Sequence, residues 1–508
     1  MTRFVLAHDL GTTGNKASLY DADGYLRGSA FYGYDTVFAH IGWAEQNPED
    51  WWRAVCATTR QLLAETGVRG DEIACIVFSG QMMGAVPLDR DARPLRSAII
   101  WADQRSVPQQ EWVAARIAPE DVYRITGHRL SASYSLTKIL WIRDHQPEIY
   151  RSTYKFMHAK DSMVARLTGR FVTEPSDASS MNLYELDNGA WSARIVEAAE
   201  LDIDKLPEIV ASTAVVGGVL PSVAEQVGVP AGTPVVAGGG DGSCAAVGAG
   251  VVAEGAAYNY VGSSSWIAIA TPKPIYDPTF RTFTFAHLVP GMMMPTGTMQ
   301  AAGASYQWTR DQLGGLEVAA AQSLRLSAYE LMNLAADTSV PGANSLLFLP
   351  YLLGERSPRW NPKARGAFVG LTIRHTRGDM IRAVLEGITF NLRVILDAFT
   401  SQGARIDAMR LIGGGARGRF WNQVMADIYG IPVQRLSVLE EATSMGAAVA
   451  GGIGVGVYRD WSVIEQMNAI AETALPRPPA VETYRRLYPV FEASYQALLP
   501  IYDMLAEV

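Results

Sequence analysis

Apolar positions near the N-terminus come in short unbroken runs, and further along they recur at helical spacing. The run over residues 4–8 breaks at Asp9-Leu10-Gly11-Thr12-Thr13-Gly14. A second strand-like run covers 16–21, and Asp21-Ala22-Asp23-Gly24 closes it before a third at 25–34. Asp, Asn and Gly at the breaks supply turn chemistry, so the opening is predicted to be a β-meander. Asn47-Pro48-Glu49-Asp50 predicts a helix start, with a capping amide, a proline suited to the first turn and acids at the positive end. Trp51, Trp52, Val55, Leu62 and Leu63 follow at helical spacing, and residues 73–78 read as a buried strand. Three strands, a helix and a strand predict an α/β fold with a mixed sheet flanked by helices.

The same opening returns in mid-chain. Residues 256–261 and 266–270 read as strands around the small-residue turn Gly262-Ser263-Ser264-Ser265. A helix over about 379–398, a strand at 409–412 and a helix over about 420–429 follow. Two related halves facing each other are predicted, 1–250 and 251–508, joined near 245–255.

Composition narrows the function classes. The chain has 508 residues, with 43 Lys+Arg against 51 Asp+Glu for a net charge of −8. An acidic balance argues against a nucleic-acid or membrane surface but leaves room for one polyanionic small molecule. Cys56, Cys75 and Cys244 have no paired spacing, so neither a disulfide framework nor a zinc site is expected. The first apolar run is too short for a signal-peptide core, and the Ala/Gly/Val-rich stretch 442–457 falls short of the ~18 residues a membrane span needs. That stretch is expected to be a buried helix, and the protein to be cytoplasmic.

Several segments carry chemistry. Asp9 at a strand end, followed by Gly11, Thr12, Thr13, Asn15 and Lys16, suits phosphate oxygens, with the carboxylate holding Mg²⁺ through water. Gly262, Ser263 and Ser264 form a second turn of that build, and two such turns would clasp a triphosphate. Gly413, Gly415 and Gly418 satisfy GxGxxG, which reads either as an adenine-binding wall or as a dinucleotide fingerprint. Asp241 follows Gly238-Gly239-Gly240, which leave its carboxylate open as a base for a substrate hydroxyl; the alternative is a helix cap. Gln81, Met82, Met83, Trp101, Asp103 and Arg105 combine apolar platforms with hydroxyl-directed groups and suit a polyol. Cys244 reads as a small buried side chain, and His8 as an ordinary strand-end residue.

These residues resemble the FGGY carbohydrate kinases, closest to the xylulokinase-like branch, over residues 4 to about 456. Asp9-Leu10-Gly11-Thr12-Thr13 is similar to the family's first phosphate loop, Gly240-Asp241 to the pair bearing its catalytic base, and Gly354-Glu355-Arg356-Ser357-Pro358 to its GERTP segment. Gly366, Phe368, Gly370, Leu371, Asp379, Met380, Ala383, Val384, Leu385 and Glu386 fit its long C-terminal signature, and Gly413-Gly414-Gly415-Ala416 its adenosine motif. The resemblance implies two ribonuclease H-like, actin-like ATPase domains with the active site in the cleft between them. It implies ATP and Mg²⁺, with adenine near Gly414, Gly415 and Ala416, Asp9 positioning Mg²⁺ and Asp241 as base. The partner is a small sugar or polyol, most simply a pentulose such as D-xylulose, and a homodimer is one expectation for assembly.

Two departures fall in the sugar wall. Gln81-Met82-Met83-Gly84 stands where xylulokinases typically show Gln-Met-His-Gly, and Trp101-Ala102-Asp103-Gln104-Arg105 where they show Trp-Asn-Asp-x-Arg. A thioether replaces a polar contact, so another polyol, such as a tetritol, is the alternative substrate. An NAD-dependent dehydrogenase and a non-catalytic actin-like nucleotide- or sugar-binding protein are the remote alternatives.

Overall fold

A computed structural model describes residues 3–507. The first half opens with β1 (Phe4–Leu10), β2 (Gly14–Tyr20) and β3 (Leu26–Gly33), the expected meander. Then come α1 (Pro48–Thr66), β4 (Ile73–Gly80), α2 (Ala159–Thr168), α3 (Pro175–Ser179), β5 (Val215–Gly218), β6 (Pro234–Gly240) and α4 (Asp241–Gly248). Asn47 caps α1 by accepting the Glu49 N–H at 3.1 Å, and Gly67 ends it in the left-handed region at φ 71°. β4 is buried along its whole length, which is why it reads as an unbroken apolar run rather than an alternation.

The second half is built from β7 (Gly255–Val261), β8 (Ser265–Ile269), β9 (Phe283–Ala286), β10 (Met293–Met299) and α5 (Arg377–Thr400). β11 (Ile406–Ile412), α6 (Arg419–Tyr429), β12 (Val433–Leu436), α7 (Ala442–Gly454), β13 (Ile470–Ala474) and α8 (Pro478–Leu505) complete it. α5 begins two residues before its expected start because Thr376 and Asp379 cap each other reciprocally. α8 runs through Pro489 and Pro500, residues that ordinarily punctuate a helix.

The sheets repeat one plan. The first has the order β3-β2-β1-β4-β6-β5 and the second β10-β8-β7-β11-β12-β13, with β9 added outside β10. Read in that order, both pair antiparallel, antiparallel, parallel, parallel, antiparallel. The fold is therefore a two-domain α/β arrangement of mixed sheets flanked by helices. One element crosses over: α7 packs on β1, β4 and β6 of the first sheet and shares a core with Val5, Cys75, Val77 and Val236. It is the buried helix expected over 442–457, and among the described residues no helix is long and apolar enough to cross a membrane.

Candidate active site

β1, β4 and β6 run parallel in the first sheet, so their C-terminal ends converge, the usual place for a ligand crevice in such sheets. Asp9 stands at the end of β1, Met82 and Met83 just beyond β4, and Asp241 just beyond β6. With Gly11, Lys16 and Trp101 they form one wall of a cleft of about 610 Å³; Tyr258, Tyr260, Trp266, Gly413, Gly414 and Thr443 face them from the second half.

The electrostatics centre on two carboxylates. Asp9 Oδ1 is buried and has no hydrogen-bond partner among the described residues. Burial pushes the Asp9 carboxyl up to about 6, against the opposing pull of Ser79 and Lys16. Burial, then the charge of Asp9, pushes Asp241 up to about 7, although its Oδ1 accepts the Gly242 N–H at 2.7 Å. Lys16 does not neutralise the pair outright, because its Nζ lies 3.1 Å from Glu441 Oε1. Hard oxygen donors with an orphaned lone pair and mutual repulsion fit a divalent cation such as Mg²⁺.

The two turns keep donors free. Among the described residues the N–H groups of Thr12, Thr13, Ser263 and Ser264 have no acceptor, while Gly11 and Gly262 close their own turns onto Gly14 and Ser264. Thr12 is held from behind: its carbonyl accepts Gln46 Nε2 at 2.6 Å and its hydroxyl accepts Trp101 Nε1 at 2.9 Å. Gly262 and Ser263 are braced by the N–H groups of Gly303 and Ala304.

Other candidates do not face the cleft. Asn15 is fully buried and its amide binds His8 and Thr58. Gln81 donates to Gln46 at 2.7 Å, and Gln46 donates to the Thr12 carbonyl, so Gln81 supports the 11–13 turn from beneath. Asp103 is fully buried; it accepts the Ala44 N–H and the Arg105 guanidinium. Arg105 also pairs with Glu45 and lies 3.7 Å over the Trp43 ring. This is an internal scaffold rather than a sugar wall. Ala416 is fully buried, and a Cβ on Gly415 would lie 2.3 Å from Val261, whereas one on Gly414 would meet nothing within 4 Å. On this side the cleft is bordered by Gly413 and Gly414, with Leu439 and Glu440. Glycines 415 and 418 serve packing and the turn, so the GxGxxG spacing forms no dinucleotide cradle.

The three glycines before Asp241 also have another cause. A Cβ on Gly238, at φ 74°, would lie 1.9 Å from the Phe78 carbonyl; on Gly239 it would meet Leu288, and on Gly240 Met82. Gly238 allows β6 to approach β4 closely, and Gly239 and Gly240 make room for the Leu288 and Met82 side chains. Helix α4 starts at Asp241 itself and is capped at Gly240, so Asp241 is its first residue rather than its cap. Cys244 is buried, and burial raises its thiol well above the ordinary value, as suits an inert side chain. His8, stacked on Phe78 and pushed down to about 3 by burial, is a neutral core residue.

Sequence reasoning missed most of the second-half wall. Tyr260 and Trp266 stack with ring centroids 4.0 Å apart on either arm of the β7–β8 hairpin, and Trp266 Nε1 donates to Tyr258 at 2.8 Å. Their placement at the two shoulders of the Gly262–Ser265 turn was the available signal. Ser133, Phe283, Phe285, Met294, Thr296 and Thr298 also line the cleft and carry no local motif. Met83, at φ 64°, is pinned on both sides: Ser180 Oγ accepts its N–H, and the buried Lys138 ammonium donates to its carbonyl at 2.8 Å.

The description "FGGY family of carbohydrate kinases, N-terminal domain" matches residues 4–248, and the corresponding C-terminal domain matches 257–455. A xylulose kinase of Staphylococcus epidermidis is 34% identical over 495 residues, covering 97% of this chain and 96% of the relative. A gluconokinase of Bacillus licheniformis is 31% identical over 507 residues, covering 100% of this chain and 98% of the relative. The crystal structure of xylulose kinase from Rhodospirillum rubrum superposes with a TM-score of 0.91 at 29% identity, covering 99% of this chain and all of that one.

Proposed function

Since this chain belongs to the FGGY family of carbohydrate kinases, we propose that it phosphorylates a ketopentose such as D-xylulose, with Asp241 as the base. FGGY enzymes are ATP-dependent sugar kinases, and this chain is a sugar kinase. The observation that carries the finer reading is the pair Asp9 and Asp241 in one cleft, with Asp9 Oδ1 buried and unpartnered. In this reading residues 1–250 supply the sugar wall, the base and the first phosphate turn, and residues 251–508 the second turn and the adenine wall.

A carboxyl poised near 7 is matched to taking a proton from a hydroxyl at neutral pH. Asp241 accepts that proton as the hydroxyl oxygen attacks. The free N–H groups of Thr12, Thr13, Ser263 and Ser264 receive phosphate oxygens, so positioning and electrostatics do most of the catalysis. Asp9 would hold Mg²⁺, which when bound neutralises charge on the phosphates. Lys16, shared with Glu441, lines the same cleft and acts on Asp9 through its charge.

A second reading, phosphorylation of an aldonate, is favoured by one observation. Among the described residues the Arg356 guanidinium borders the cleft and pairs with no acid, so a substrate carboxylate would find a partner there. The gluconokinase of Bacillus licheniformis aligns with the whole of this chain at 31% identity.

A coupled ADP-release screen over ketoses, polyols and aldonates tests both readings, run on the native protein and on Met83→His. The highest kcat/KM is expected on D-xylulose, with a several-fold further gain in Met83→His, because a recovered hydrogen bond is worth about 0.5–1.5 kcal/mol. Preference for gluconate, lost in Arg356→Gln, would replace the first reading by the second.

A further inference from the structure

Helix α3 and the residue after it carry three fully buried hydroxyls, Ser176, Ser179 and Ser180. Each accepts a backbone N–H from a different segment beside the cleft. Ser176 Oγ takes that of Gly240, immediately before Asp241, at 2.9 Å. Ser179 Oγ takes that of Ala286, the last residue of β9, at 3.2 Å. Ser180 Oγ takes that of Met83 at 3.2 Å. The hydroxyl protons go the other way, back into the segment: to Glu174 Oε1, to the Ser176 carbonyl and to the Asp177 carbonyl. A hydroxyl has one proton, so spending it inward leaves its lone pairs to act outward only as acceptors. Local helix capping explains the inward bonds and leaves the three outward ones unexplained.

The segment is fixed from beneath. Glu174 caps α3 by accepting the N–H groups of Ser176 and Asp177, each at 2.9 Å. The buried Lys160 ammonium lies 3.1 Å from Asp177 and 3.7 Å from Glu174, and also pairs with Asp161. His158 lies 3.2 Å from Asp177 through Nδ1, and 2.9 Å through Nε2 from Ser135, whose hydroxyl donates to Gly84 next to Met83. His158, Asp161 and Asp177 have the spacing of a metal site, but Lys160 already supplies their positive charge. Buried charges of this kind are costly to disturb, so they hold α3 rigidly.

We propose that residues 174–180 are a positioning bracket for the site. Ser176 sets the turn that aims Asp241, Ser180 sets the loop that presents Met83 to the sugar, and Ser179 ties both to the edge strand of the second sheet. The bracket rests on the reading of Asp241 as base and of Met83 as sugar wall.

The test is steady-state kinetics of the full chain with D-xylulose or gluconate, whichever the screen shows it phosphorylates. Ser176→Ala is expected to lower kcat about ten- to a hundredfold with sugar KM within about twofold, the size of effect a small misplacement of a catalytic group produces. Ser180→Ala is expected to raise sugar KM about tenfold with kcat within about twofold, since it disturbs binding rather than the reacting proton. In an Asp241→Asn background, Ser176→Ala should cause no further fall in kcat, because its effect passes through Asp241. Ser176→Cys keeps the volume but is a weak acceptor, and serves with the same expected loss if Ser176→Ala does not fold. Equal changes in kcat and KM in both variants, or no change in either, would overturn the bracket. Near-native kcat in Asp241→Asn alone would instead sink the base reading, while the Ser180 arm still decides the bracket.

Discussion

Burial raises the Asp241 and Asp9 carboxyls in the folded state to about 7 and about 6, and the charge of Asp9 adds to the shift of Asp241. An acid whose pKa is higher folded than unfolded keeps its proton longer in the folded state. Its contribution to stability is therefore complete below the unfolded value and lost as pH climbs towards 7. The same shift leaves Asp241 able to take a proton only once it is ionised. Native kcat should rise with pH through about 7. Asp241→Asn keeps the shape and removes the acceptor, so kcat should fall by roughly 10²–10⁴ with sugar affinity, read by calorimetry, changed far less. The Asn variant should also melt higher than the native protein at pH 8, with the difference shrinking towards pH 4. A difference that stays constant over that range contradicts the electrostatic account.

At the scale of elements, close approaches decide which glycines can be tested. The turn between β11 and α6 has two adjacent glycines with opposite surroundings. Gly414 opens on the cleft, and Gly415 is packed against Val261 and Trp421. Gly414→Val should raise the KM for ATP about tenfold or more, as a side chain takes the ring's place, with sugar KM and melting temperature little changed. Gly415→Val should instead lower the melting temperature, because its Cβ meets atoms that cannot retreat. If both variants lose only stability, the adenine wall lies elsewhere.

The whole molecule is joined by a helix crossing. α4 of the first half and α7 of the second meet backbone to backbone: a Cβ on Gly248 would lie 1.8 Å from the Ala442 carbonyl, and one on Gly446 1.9 Å from the Cys244 carbonyl. α7 also covers the first sheet, so part of the first half's core is built from residues of the second. Gly446→Ala should push the helices apart and cost about 1–3 kcal/mol or more, the range for overpacked cores. Calorimetry should show one transition moved down in temperature, rather than one half melting ahead of the other.

Local chemistry made much of this legible. The meander, the capped α1, the turns at 11–13 and 262–264, and Asp9 and Asp241 at strand ends all follow from neighbours in sequence: apolar runs, turn residues and caps. The misplaced candidates fail for reasons that neighbours do not carry. Side chains alternate along a strand, so Lys16 enters the cleft while Asn15, one step away, points to His8 and Thr58. Asp103 and Arg105 look like sugar ligands until Glu45, Ala44 and Trp43 satisfy them from a distant loop. Three glycines before Asp241 look like an opened approach to a carboxylate until Phe78, Leu288 and Met82 close on them. The sequence by itself determined the strand and helix plan, the repeated halves and the two carboxylates, because these depend on contacts a few residues apart. Only the tertiary structure decided which polar groups remain unpaired in the cleft and which are consumed as scaffold. A side chain's availability depends on every partner that the returning chain brings to it.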